Sequence, residues 1–221
     1  MTPRRRQRTT PENERAILEA ALSIAVRKGY DGTAMAEVAK QAGLPVGSVY
    51  WHFENKEQLF ARLIDYCFVT WQADHTGPTN RDLLRRSIAG SAGGSSDVGN
   101  EPEAFWTLAL MFALDRRLEG NLARERYLEV RRQMFELMVQ RVEPQIPAEV
   151  LAVEPDFGRK MVVLGRALTN GFYIAAGAGD DIDFEEYAAL SASAIEALVN
   201  RRLSEVTSEV TAAKGVPQST H

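Results

Sequence analysis

Residues 43–60 read GLPVGSVYWHFENKEQLF. Gly43, Pro45 and Gly47 interrupt any long helix, yet Val46 to His52 can close about two turns beyond them. Along those turns Leu44 and Val49 point to one side, and Phe53 continues it one turn later. Val46, Gly47, Ser48, Tyr50, Trp51 and His52 then point to the other side. Asn55 follows as a helix cap, with Gln58 three residues on as in a capping box. Upstream, Thr33 stands before a short amphipathic run whose apolar face is Met35, Val38, Ala39 and Ala42, and Gly43 supplies the left-handed stop. Ala39 is small where two helices must cross closely. Short helix, tight turn and short helix make a helix-turn-helix plan, and about 10 Å of helix suits a major groove about 12 Å wide.

Helical spacing continues on both sides, and no alternating strand pattern interrupts it. Pro11 and Glu12 open a first helix with apolar positions Ile17, Leu18, Ala21, Ile24 and Ala25, closed by Gly29. The helix capped by Asn55 runs to about residue 73, where TGPTN (76–80) breaks it. A helix near 81–90 leads into GSAGGSSDVGN (90–100), a Gly/Ser linker. EAFWTLALMFALDRR (103–117) is apolar nearly all round. LARERYLEVRRQMFELMVQRV (122–142) is amphipathic, and EPQIPAEV (143–150) reads as a connection. Helices from 156 to about 178 and from 183 to about 203 complete an all-α chain of about nine helices. The sequence divides into an N-terminal helix-turn-helix domain with a basic arm (1–56), a larger helical domain (57–204) and a polar, disordered tail (205–221).

Composition narrows the function. Of 221 residues, 45% are hydrophobic, ample for a core without disulfide or metal staples. The one cysteine, Cys67, lies in an apolar helical run and reads as a core thiol, consistent with a reducing cytoplasm. No stretch reaches the length of a membrane span, and the Arg-rich start is followed by Glu12 and Glu14, unlike a secretory signal. The net charge is −4, but it is unevenly spread. Residues 1–56 hold nine Lys/Arg against six Asp/Glu, whereas residues 57–221 hold 17 against 24. A basic small end on an acidic large end favours contact of the small end with a polyanion. Only three histidines occur, with no ligand cluster, HExxH, P-loop or GxSxG, so catalytic residues, cofactors and metals are not expected.

The stretch through Gly32-Thr33, Val38-Ala39, Ala42-Gly43-Leu44, Gly47, Val49-Tyr50, His52-Phe53, Asn55-Lys56 and Leu59-Phe60 resembles the DNA-binding segment of the TetR family of bacterial transcriptional regulators. The close match covers roughly residues 11–60, and residues 103–199 look like the betaine-regulator type of C-terminal domain. Pro45 departs from the family, which often places Ser or Thr there, and a hydroxyl contact to phosphate is lost with it. The resemblance, with the chemistry of the side chains, implies roles. Thr33 offers hydroxyl and N–H groups to a phosphate, and Tyr50, His52 and Lys56 grip the backbone. Val46, Gly47, Ser48 and Trp51 approach base edges. Arg4, Arg5, Arg6 and Arg8 form an arm for the minor groove or the phosphates. Bland readings stand beside these: Tyr50 and His52 as packing or capping residues, Trp51 as a shield for the turn, the arm as a solubilising tail.

The same resemblance implies that the later helices bind an inducing ligand and that the last two pair with a second copy. Trp71, Trp106, Met111, Phe112, Tyr127, Met134, Asn170 and Tyr173 offer aromatic and adaptable surface for a small hydrophobic or aromatic ligand, or else serve as core. Gly165, Leu168, Gly171, Phe172, Ala175, Leu190, Ala194 and Leu198 suit a two-fold four-helix bundle, or else complete the core of one monomer. Asp115 and Arg166 either orient a polar ligand or sit in ion pairs. The expected function is a homodimeric repressor that binds double-stranded operator DNA and is released by a ligand. The alternative is an activator or architectural protein without one.

Overall fold

The computed structural model describes residues 10–74 and 102–214. Among them are α1 (Thr10–Lys28), α2 (Met35–Ala42), α3 (Val46–His52), α4 (Lys56–Asp74), α5 (Pro102–Leu114), α6 (Leu122–Val142), α7 (Ala148–Val153), α8 (Phe157–Ala178) and α9 (Phe184–Lys214). Single 3-10 turns lie at Arg116–Leu118 and Glu143–Gln145, and no strand occurs among the described residues. The fold is all-α. The helix expected near 81–90 and the linker 90–100 lie outside the described residues.

By their contacts the described residues fall into two compact units. The first holds α1 to α5 and the beginning of α6, to Arg132. Here α1 packs on α2, α4 and α5, and α2 packs on α3. Fully buried Ile17, Ile24, Val38, Val49, Leu59 and Leu63 form the aliphatic core. An aromatic cluster completes it: Tyr30 meets Phe60 at 4.8 Å and Phe112 at 5.9 Å between ring centroids, and Phe112 stacks on Tyr127 at 6.1 Å. Polar ties hold the rim of this unit, including Arg62 to Glu14 at 2.8 Å and Arg126 to Asp65 at 2.6 Å. The expected division after residue 56 falls inside this unit, because α4 shares its core with α1.

The second unit takes the rest of α6 with α7, α8 and α9. Its core joins Ile146, Val150, Phe157, Met161 and Ile195. Two segments differ from expectation. Residues 143–150 do more than connect. A 3-10 turn there is followed by α7, which Pro147 starts and which buries Val150 completely. Helix α9 also runs through Lys214, so the stretch from 205 to 214 is helix and not tail. Its Ser and Thr side chains return hydrogen bonds to carbonyls four residues back, as in Thr207 to Leu203 at 2.8 Å and Thr211 to Thr207 at 2.8 Å. Arg202 binds Glu154 at 3.0 Å, and Val206 is 2% exposed. These contacts anchor a segment whose composition alone reads as frayed.

Candidate nucleic-acid interface

Helix α2 ends where Gly43 takes φ 68°, with its N–H donating to the carbonyl of Lys40 and that of Leu44 to Ala39. Only a residue tolerant of left-handed geometry turns the chain so tightly here. Pro45 then stands as the N-cap of α3 with no side-chain cap, and its carbonyl accepts from Ser48 N–H at 2.9 Å. Val49 is completely buried and Phe53 is 5% exposed, so this side holds α3 to the domain. On the other side Val46 is 43% exposed, Tyr50 51% and Trp51 72%. Gly47 is exposed, and Ser48 and His52 are half-buried. Trp51 meets the edge of His52 at 4.8 Å, which fixes both rings as one ridge.

Gly47 has an informative environment. A Cβ added there would meet nothing within 4 Å, and its backbone does not need positive φ. Glycine in a helix is less stable than alanine by up to about 1 kcal/mol. Nothing inside the domain requires a glycine at this position.

Asn55 caps α4 as the sequence suggests. Its Oδ1 accepts from Gln58 N–H at 2.9 Å, and Gln58 Oε1 accepts from Glu54 N–H at 3.1 Å. Lys56, expected on a phosphate, has a partner within the domain. Its Nζ donates to the carbonyl of Tyr30 at 3.1 Å and more weakly to Asp31 at 3.5 Å, and lies 4.4 Å from the centre of the Tyr30 ring. The ammonium therefore pins the α1–α2 corner to the start of α4.

Thr33 departs from expectation. It is 1% exposed, and its hydroxyl donates to the carbonyl of Gly29 at 2.8 Å. Ala34, not Thr33, is the N-cap of α2. A buried hydroxyl engaged four residues back has nothing to offer a phosphate, so its role is to close the α1–α2 corner. Arg4, Arg5, Arg6 and Arg8 lie outside the described residues.

This geometry agrees with the comparisons. The model for "Bacterial regulatory proteins, tetR family" matches residues 17–63, which span α1 through the first turns of α4. Over this segment the chain matches the DNA-binding domain of the TetR family. The biofilm operon regulator IcaR of Staphylococcus epidermidis, a helix-turn-helix negative transcriptional regulator, is 33% identical over 52 residues. Those are 24% of this chain and 28% of IcaR. The chain thus spans under a third of the length of the curated relatives it matches. A transcriptional regulator from Rhodococcus sp. Rha1 shares the fold with a TM-score of 0.64 at 17% identity, covering 85% of this chain and 96% of that one. FadR from Bacillus subtilis, solved with stearoyl-CoA, gives 0.59 at 19% identity over 84% of this chain and 97% of its own. These matched proteins are regulators of transcription, not enzymes.

The residues expected around a ligand divide between the two units. Trp71, Trp106, Met111, Phe112 and Tyr127 belong to the first unit, and Met134, Asn170 and Tyr173 to the second. Phe112 is fully buried in the aromatic cluster, and Met111 Sδ accepts from Tyr30 N–H at 3.0 Å. Asn121 Nδ2 donates to the Tyr30 hydroxyl at 2.9 Å, so Tyr30 is held from α5 and from the α5–α6 turn. That role was not anticipated from the sequence. Tyr173 is 8% exposed and packs on Phe184 at 4.8 Å. Asp115 pairs with Arg117 at 2.7 Å, and this hydrogen bond holds its carboxyl below the usual carboxylate range. Arg166 lies over the Phe135 ring at 4.9 Å.

The faces of α8 and α9 need one correction. Gly165 is buried and turned inward with Met161, Val162, Thr169 and Tyr173, and Thr169 Oγ1 donates to its carbonyl at 3.0 Å. The exposed row of α8 is instead Val163, Ala167, Gly171 and Ile174, rotated from the expected one. Leu168, Phe172 and Ala175 are half-buried, with Phe172 against Tyr187 at 5.2 Å. On α9, Leu190 (56% exposed), Ala194 and Leu198 (41%) do form an open apolar row. No helix among the described residues is long and apolar enough to cross a membrane.

Proposed function

We propose that this protein is a transcriptional regulator that binds duplex DNA of defined sequence as a homodimer and leaves it when a small molecule binds. The observation that carries this reading is the exposed ridge of α3. Trp51 is 72% exposed on a helix whose opposite side, at Val49, is fully buried. In the major groove, Val46 touches a thymine methyl, while Ser48 and Trp51 meet base edges. Tyr50 and His52 rest on phosphates, with Gly47 allowing the helix to seat closely. Lys56 adds charge at the rim while holding the α1–α2 corner, and the arm of Arg4, Arg5, Arg6 and Arg8 extends the contact along the backbone. Residues 1–56 carry this activity in the cytoplasm, and residues 57–204 serve dimerisation and ligand control.

The open rows Val163–Ala167–Gly171–Ile174 and Leu190–Ala194–Leu198 support pairing with a second copy across a four-helix bundle. A dimer presents two α3 helices to half-sites about one helical turn of DNA apart. Ligand control then needs about 1–3 kcal/mol of coupling, enough to change the match between helix separation and half-site spacing. Repression is favoured because IcaR is a negative regulator. The test is selection of DNA by the purified protein from a random pool, followed by mobility shift. The reading expects a two-fold symmetric site, lost in Tyr50→Ala/Trp51→Ala. Recovery of no enriched sequence would overturn it.

A further inference from the structure

The arginines in the first half of α6 are not treated alike. Arg126 pairs with Asp65 at 2.6 Å and also with Glu129. Arg124 and Arg131 are likewise half-buried, yet neither pairs with a carboxylate among the described residues. The Nε of Arg124 is buried and donates to nothing. Arg131 Nη1 donates at 3.1 Å to the hydroxyl of Tyr127, an uncharged partner one turn back towards Arg124. Tyr127 is 5% exposed and its ring stacks on Phe112, so this hydroxyl is a fixed point. It accepts from Arg131, while its own proton meets no acceptor among the described residues.

Residues of an α-helix follow each other at about 100°. Arg131 therefore lies within about 20° of Arg124, with Tyr127 about 60° to one side and Leu128 about 40° to the other. The acids of the helix stand apart, Glu125 and Glu129 at about 100° and about 140° from Arg124. Glu129 is engaged by Arg126, and Glu136 further on by Arg159. Two guanidinium groups and a phenol thus occupy about two turns of one side of α6 with no carboxylate among them. We infer that this side of α6 binds the carboxylate or phosphate group of a small organic anion. A partly desolvated cation without a counter-ion is unfavourable, and a bound anion relieves it. The planar guanidinium meets two oxygens of either group at once, and the Tyr127 proton adds a third donor. Leu128 and the Tyr127 ring offer apolar contact to the body of the molecule. An ammonium meets only like charge here. The Tyr127 hydroxyl, on a residue 5% exposed, lies too deep for the backbone of a duplex, so the occupant is a small molecule.

The site does not depend on the regulator reading; only its consequence, release from DNA, rests on it. The test measures calorimetric binding and thermal stabilisation of the full chain in the absence of DNA. The probes are 3-phenylpropionate, phenyl phosphate, inorganic phosphate and 3-phenylpropylammonium. One or both organic anions should bind saturably at millimolar concentration and the ammonium not at all. Inorganic phosphate should bind about tenfold more weakly than the better organic anion, for want of the apolar contact. Arg124→Met, or Arg131→Met should the first variant not fold, should weaken the organic anion about tenfold or more, and Arg124→Lys should restore part of the loss. Without any probe, Arg124→Met should melt about 2–4 °C higher, since it removes a half-buried charge that lacks a counter-ion. A lower melting temperature would make the arginine a structural residue and overturn the site. So would the absence of saturable anion binding, equal binding of the ammonium or of inorganic phosphate, or wild-type affinity in a folded Met variant. Loss of DNA binding by folded Arg124→Met without probe would place the arginine on a DNA phosphate and overturn the small-molecule occupant. A mobility shift with selected DNA separates the two claims. DNA binding without anion binding removes the site and keeps the regulator reading, whereas anion binding without DNA binding does the reverse.

Discussion

The outward face of α3 and the open rows of α8 and α9 expose apolar groups to a similar degree, yet they call for different partners. Tyr50 and Trp51 are 51% and 72% exposed, against 56% for Leu190 and 53% for Ile174. On α3 the exposed rings carry polar tips, and beside them stand Ser48, His52 and the empty flank of Gly47. Along the open rows Val163–Ala167–Gly171–Ile174 and Leu190–Ala194–Leu198 the exposed side chains are aliphatic or small, with nothing to hydrogen-bond. A polyanion can be gripped by the first face and only dehydrated by the second. Exposure alone therefore does not define an interface; the chemistry of the exposed atoms does.

The largest expected effect breaks the second face while leaving the first intact. Leu190→Glu/Leu198→Glu places like charges across a two-fold interface, and sedimentation velocity should show monomers. DNA affinity should fall by about 100-fold or more through loss of the coupled half-site. A double variant that remains dimeric and binds normally would remove the α9 row from the interface. Next, Trp51→Ala should cost about 1–3 kcal/mol in DNA binding, read by fluorescence anisotropy. Folding stability in urea should change by no more than about 0.5 kcal/mol. Lys56→Ala should lower both readouts, because the ammonium clamps Tyr30 and Asp31 as well as facing the rim. A loss of about 1 kcal/mol in stability fits a half-buried charged hydrogen bond, and unchanged stability would make the clamp incidental.

Smaller effects sharpen the contrast further. Gly47→Ala should raise stability by up to about 1 kcal/mol and weaken DNA binding, an opposite movement of the two readouts. If both rise together, close approach at this glycine is not required. The smallest effect concerns Cys67, whose burial pushes the thiol up to about 12. The thiolate form is disfavoured in the native state at neutral pH, so the thiol should react with an aromatic disulfide reagent only on unfolding. Rapid stoichiometric reaction of the native chain would contradict the burial.

The helix-turn-helix was legible because each of its demands falls on a different residue type. Gly43 makes the turn, Ala39 permits the crossing, and Val49 and Phe53 anchor one side. At Thr33, a threonine before a helix can face outward, as expected for a phosphate contact, or bond backward to a carbonyl. Local pattern does not separate these, and the Gly29 carbonyl decides it. In MVVLGRALTNGFYIAAG nearly every position is apolar or small, so the sequence shows that α8 packs on two sides but not which residues face which. Burial resolves it, turning Gly165 in and Val163, Ala167 and Ile174 out.

The most direct test of the central claim is the affinity of wild-type protein and Tyr50→Ala/Trp51→Ala for the same selected duplex. Each should be measured across a series of salt concentrations. The account predicts tight, salt-dependent binding by the wild type to a two-fold symmetric site, and loss of sequence preference in the variant with its fold intact. Equal affinity and equal sequence preference in the two proteins would contradict it, and α3 would not be the reading element.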